Sequence, residues 1–165
     1  MHDVPISAAP FNSALETGVR ALAVLTEASP RALDLQELVY FDYLIVHSGD
    51  AGGPTSLHPN TPLRNGELLV RRTVIEQGVL LMVSRGLAER LLRDNGISYA
   101  ATDEAAPFLE CLASIYTHSL RDRAEWAMQL FGGLDKDELK SYFDTNFERW
   151  TREFQSAVSV SDRLL

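Results

Sequence analysis

The run Leu38-Val-Tyr-Phe-Asp-Tyr-Leu-Ile-Val46 carries a single charge, at Asp42. Asp34 ahead of it fits an N-cap, so the segment reads as a helix over Leu35–His47. A helix apolar on nearly every side cannot lie on a surface; it belongs in a core or against a partner. The rest of the chain must therefore wrap this segment. Asp42 sharpens the constraint, because a buried carboxylate needs a cationic partner, and Arg20 or Arg72 is the expected type.

The neighbouring elements follow from caps and breakers. Ser13-Ala-Leu-Glu16 is a capping-box pattern, and Leu15, Val19, Leu22 and Leu25 recur at helical spacing. Helix 1 is thus expected over 13–28, stopped by Ser29-Pro30. Helix 3 is expected from Asn65–Glu67 to Ser84 or Arg85, with Gly86 as its C-cap. Leu87–Arg93 and Ile97–Ala101 flank Asp94-Asn95-Gly96, which predicts a β-hairpin with Asn-Gly at its heart. Thr102-Asp-Glu then opens a predicted long helix 4 over 103–131, with Pro107 near its start and Gly132-Gly133 at its end. Asp135-x-x-Glu138 starts a last amphipathic helix with the stripe Leu139, Tyr142, Phe143, Phe147, Trp150 and Phe154. That stripe covers either the domain's own core or a partner groove. Cys111 is expected in the core.

Helix, helix, helix, hairpin, helix is the order of a winged helix. The expected fold is mainly α: a winged helix-turn-helix with a long loop between helices 2 and 3, a β-hairpin wing, and C-terminal helices. The expected division is a tail over 1–11, the winged-helix domain over 12–131, the C-terminal helix over 132–155 and a frayed tail over 156–165.

Composition narrows function by exclusion. The chain has 165 residues, 45% hydrophobic and 23% charged, which suits one soluble globular domain. No apolar run reaches the roughly 18 residues of a membrane span. The start lacks a secretory pattern and Cys111 is the single cysteine, so a reducing cytoplasm is the expected location. The net charge of −8 argues against bulk affinity for nucleic acid. Residues 64–93 nevertheless hold Arg64, Arg71, Arg72, Arg85, Arg90 and Arg93 against Glu67, Glu76 and Glu89. Arg71, Arg72, Arg90 and Arg93 are the candidates for phosphate or DNA contact. Against that reading, the connection between helices 2 and 3 is far longer than the turn of about 3–4 residues in a DNA-reading helix pair.

The connection itself, His47-Ser-Gly-Asp-Ala-Gly-Gly-Pro-Thr-Ser-Leu-His-Pro59, has the residue types of a site. His47, Asp50 and His58 could supply three metal ligands, but no His-x-x-x-His or Glu-x-x-His pattern supports them. Ser48 and Ser56 lack a nucleophile elbow, and the glycines lack the Gly-Lys-Ser/Thr ending of a phosphate loop. Glycines that permit positive φ and prolines that stiffen the path favour a structural joint. His47 is expected at the end of helix 2, its ring near a free carbonyl. No cofactor is expected. The candidate docking residues are His47, Asp50, Pro54, Leu57 and His58.

Five stretches carry a family resemblance: Phe11-Asn-Ser-Ala-Leu-Glu-Thr-Gly-Val-Arg-Ala-Leu22, Leu38-Val-Tyr-Phe-Asp-Tyr-Leu-Ile-Val-His-Ser-Gly-Asp50, Gly53-Pro-Thr-Ser-Leu-His-Pro59, Leu69-Val-Arg-Arg72 and Ser84-Arg-Gly-Leu87. Together they resemble the middle component of bacterial ABC-three-component systems, over about residues 11–132. The resemblance implies a winged-helix fold and a place between an SMC-like ABC ATPase and an effector subunit. It also implies a role in defence against phage or other invading DNA, and it supplies no catalytic residues.

The leading expectation is a non-enzymatic adaptor that docks through the apolar helix 2/3 surface and the loop, alone or as a homodimer. A dimeric winged-helix transcription regulator is the alternative. A small metal-dependent hydrolase built on His47, Asp50 and His58 is a third reading.

Overall fold

The computed structural model describes residues 13–59 and 64–162. The expected N-terminal tail and residues 163–165 lie outside them. Helix α1 spans Ala14–Ala28, with the Ser13 hydroxyl accepting from the Glu16 amide at 3.2 Å. Strand β1 is only Leu33–Asp34 and runs directly into helix α2, Leu35–Val46. Asp34 closes a full capping box there. It accepts from the Glu37 amide at 2.8 Å while the Glu37 carboxylate accepts from the Asp34 amide at 3.3 Å. Every residue of α2 from Leu38 to Val46 is buried. The helix is the centre of its own chain's core, which removes it as the docking surface expected from its composition.

Helix α3, Arg64–Ser84, packs most extensively on α1. The two backbones meet at glycines: a Cβ on Gly78 would lie 2.6 Å from the Gly18 nitrogen, and one on Gly18 would lie 2.7 Å from the Gly78 carbonyl. Helix α3 ends in a Schellman motif. The Gly86 amide donates to Val83 at 3.1 Å, the Leu87 amide to Met82 at 3.0 Å, and Gly86 takes the left-handed φ of 72°.

Strands β2 (Ala88–Arg93) and β3 (Gly96–Ala101) form the expected hairpin. Arg93 pairs with Gly96, so Asp94-Asn95 makes the turn and Asn-Gly is displaced by one residue from its centre. The unexpected β1 adds a third strand on β3, giving the antiparallel order β1-β3-β2.

The long fourth helix is instead two. Helix α4 is Ala105–Glu110 and helix α5 is Ile115–Phe131. The break comes not from Pro107, which sits in the first turn of α4 where its missing N–H is tolerated. It comes from Ser114, whose hydroxyl accepts from the Thr117 amide at 3.1 Å and caps a new helix. Cys111 falls in the link and is exposed rather than in the core. Helix α6 starts where Asp135 caps it and runs over Lys136–Asp162, beyond the expected end near Phe154. It buries Leu139, Phe143 and Trp150 on the domain.

The described residues are thus mainly helical, with a small antiparallel sheet. The hairpin lies between α3 and α4, as a wing would, and the arrangement is compatible with a winged-helix-like fold. No helix among them is long and apolar enough to cross a membrane.

Candidate functional site: the 47–59 loop and the ion triad beneath it

The loop closes on the helix it leaves. The amides of Leu57 and His58 both donate to the Val46 carbonyl, each at 3.0 Å, satisfying an acceptor that the end of α2 leaves open. A single 3₁₀ turn, Ser48–Ala51, ends at Gly52 with φ 74°. The Ser48 hydroxyl donates to the Pro54 carbonyl at 2.8 Å, and the Ser56 hydroxyl accepts from the Gly49 amide at 3.0 Å.

Helices α5 and α6 then hold the loop from outside. The Arg123 guanidinium donates to the Thr55 carbonyl at 2.6 and 3.0 Å. The Trp150 indole N–H donates to the Asp50 carbonyl at 3.0 Å. Gly53 lies flat against Trp126, where a Cβ would come within 2.2 Å of the ring. The Tyr43 hydroxyl donates to the Asp50 carboxylate at 2.8 Å, and His58 Nε2 meets the Tyr116 hydroxyl at 2.8 Å.

An ion triad lies beneath. Asp42 on α2 receives Arg20 of α1, at 2.7 Å from Nε to Oδ1, and Arg71 of α3. All three side chains are buried. Burial alone would raise the Asp42 carboxyl, but Arg20 and Arg71 hold it down to about 2. Burial opposes the charge on Arg20, yet Asp42 and Tyr116 more than offset it and raise its pKa. Burial raises Tyr116. His58 is lowered to about 4, by burial first and then by the charge of Arg20. The imidazole is therefore neutral at physiological pH. The Tyr43 ring carries the Arg71 guanidinium 5.7 Å from its centroid, and stacks on Trp150 at 5.4 Å.

The expected site residues thus divide. His47 is buried as the C-cap of α2, its ring 4.7 Å from Tyr43 and 6.4 Å from His58. Leu57 packs on the core, Asp50 and His58 are bound to tyrosines, and Pro54 is exposed. Among the described residues no group of three or more His, Cys, Asp or Glu is placed to hold a metal. Arg71, grouped by sequence with the phosphate contacts, is turned inward onto Asp42. Arg72, expected as a partner of Asp42, instead donates to Gln36 at 2.9 Å from an exposed position. Arg90 and Arg93 are exposed on β2, and Arg93 also lines a cleft of about 310 Å³ with Arg31, Asp34 and Glu37.

Sequence reasoning missed Tyr116, Arg123, Trp126 and the indole of Trp150 as loop partners. One signal was available for Arg71: it precedes Ile75 by four positions and Ile75 precedes Val79 by four, so all three share the buried stripe of α3.

No curated protein and no solved structure matches the chain. A family model described as "ABC-three component (ABC-3C) system Middle Component 2" matches residues 10–153, a span that takes in the loop, the triad and the helices that clamp them. The chain belongs to that Middle Component 2 family.

Proposed function

We propose that this chain is a non-enzymatic adaptor that joins an SMC-like ABC ATPase to an effector subunit in a bacterial defence system. The supporting observation is the fate of the loop's reactive-looking groups. Ser48, Ser56, Asp50 and His58 are engaged in tying the loop to itself and to the helices around it. What remains exposed is a ridge of Gly49, Gly52, Pro54, Thr55 and Pro59, stiffened by its prolines. A ridge of fixed shape loses little conformational entropy on binding, which suits docking. Family membership supports the choice of partners, since a middle component acts within a three-component system.

The competing DNA reading is weakened by the position of Arg71. With it buried, the solvated Arg72, Arg85, Arg90 and Arg93 stand among the exposed acids Glu76, Glu89, Asp94, Asp103 and Glu104, so these described side chains offer phosphates no net positive charge.

The test is co-expression with the ATPase and effector of the same system, purified through a tag on this chain. Both proteins are expected in the eluate, and Thr55→Glu on the ridge is expected to release at least one without lowering the melting temperature. Recovery of neither protein, or a salt-dependent, sequence-selective DNA complex in their place, contradicts the proposal.

A further inference from the structure

Among the described residues the outer edge of β2 is open: in the order β1-β3-β2 the strand pairs there only with β3. The Thr102 amide donates to the Leu87 carbonyl at 3.1 Å, in the register that sets Ala88 against Ala101. Position 87 is therefore a hydrogen-bonded position. By alternation, Glu89, Leu91 and Arg93 point their backbone groups to β3, while Ala88, Arg90 and Leu92 point theirs outward. The side chains alternate as well, so Glu89, Leu91 and Arg93 share one face of the sheet. Glu89 and Arg93 are exposed there and stand roughly 13 Å apart along the strand, too far to pair with each other. On the other face Leu92 is 83% exposed.

We propose that β2 is a self-association edge, pairing antiparallel with β2 of a second copy so that Leu91 faces Leu91 of the second copy. The backbone parity fits. Arg90 and Leu92 of the second copy, both pointing outward, become hydrogen-bonded pairs and exchange both N–H···O bonds. Leu91, Glu89 and Arg93 fall at the non-hydrogen-bonded positions, where side chains come closest. The charges fit too: Glu89 stands opposite Arg93 of the second copy, and the twofold axis repeats that pair. Leu92 is covered by the aliphatic stem of Arg90 from the second copy.

Neighbouring registers fail. A shift of one residue sets outward-pointing groups against inward-pointing ones. A shift of two in one direction puts Arg90 against Arg90 of the second copy, and in the other leaves only Leu91–Arg93 overlapping. This assembly goes beyond the adaptor reading and does not depend on it.

The test is sedimentation equilibrium of the full chain up to about 1 mM, the weak end of specific affinity. A reversible dimer is expected. Glu89→Arg alone and Arg93→Glu alone each place like charges face to face, and each weakens the dimer about tenfold or more. The double reversal, Glu89→Arg with Arg93→Glu, restores it. In a Cys111→Ser background, Leu91→Cys is expected to cross-link the two copies under oxidation, whereas Leu92→Cys does not. A chain that stays monomeric throughout overturns the proposal, as does a dimer indifferent to both single reversals or cross-linked equally by the two cysteine variants.

Discussion

Asp42 is the residue on which three helices depend. It is 2% exposed, and its arginine partners Arg20 and Arg71 are buried with it. Replacing it with Asn keeps the shape but leaves two guanidinium groups buried around a neutral amide. Breaking a buried ion pair from one side is expected to destabilise the fold by about 3–5 kcal/mol, read from chemical denaturation. His58 gives a second, separable signature. Its folded value of about 4 lies below the ordinary 6.5, so as pH falls the unfolded chain takes the proton first. Its contribution is whole above about 6.5 and declines as pH falls towards 4. Asp42, at about 2 against 3.8, contributes above 3.8 and is lost only as pH falls through about 2. Melting temperature against pH should therefore drop in two stages. His58→Gln should erase the stage between pH 6.5 and 4 and leave the acid one.

The elements differ in how much of them could be read from their own residues. The core role of α2, the Asp34 cap, the Gly86 stop and the hairpin rest on local chemistry within a few positions, and local chemistry is what a sequence displays. The division of α4 from α5 rests on one serine capping a helix within a stretch that has no breaker at the break. β1 is two residues long and has no period to detect. Whether Arg71 or Arg72 meets Asp42 is a difference of one position, about 100° around α3, and within the mixed first half of that helix only the spacing of Arg71 to Ile75 and Val79 marks the inward side. The loop was legible as a joint from its glycines and prolines. Its clamps were not, because Tyr116, Arg123, Trp126 and Trp150 lie roughly 60 to 100 residues away in the chain. The contact of α1 with α3 is of the same long-range kind. Alanine favours a helix over glycine by about 1 kcal/mol, yet at Gly78 its methyl would enter the backbone of α1. Gly78→Ala is therefore expected to lose up to about 2 kcal/mol net, the overpacking range of about 1–3 kcal/mol less that gain, measured in urea against the unsubstituted chain.

At the scale of the whole molecule, one buried charge network and one stapled loop leave a compact helical body with a stiff ridge outside. The acidic balance of −8 and the scattered exposed arginines suit protein partners better than a nucleic acid. An adaptor has a property that neither an enzyme nor a regulator shares: its partners meet because it is present. Mass photometry of the system's ATPase and effector, mixed with and without this chain, measures that property directly. A species containing all three proteins is expected, and it disappears when the chain is left out. An ATPase–effector complex of equal abundance without it would contradict the adaptor role.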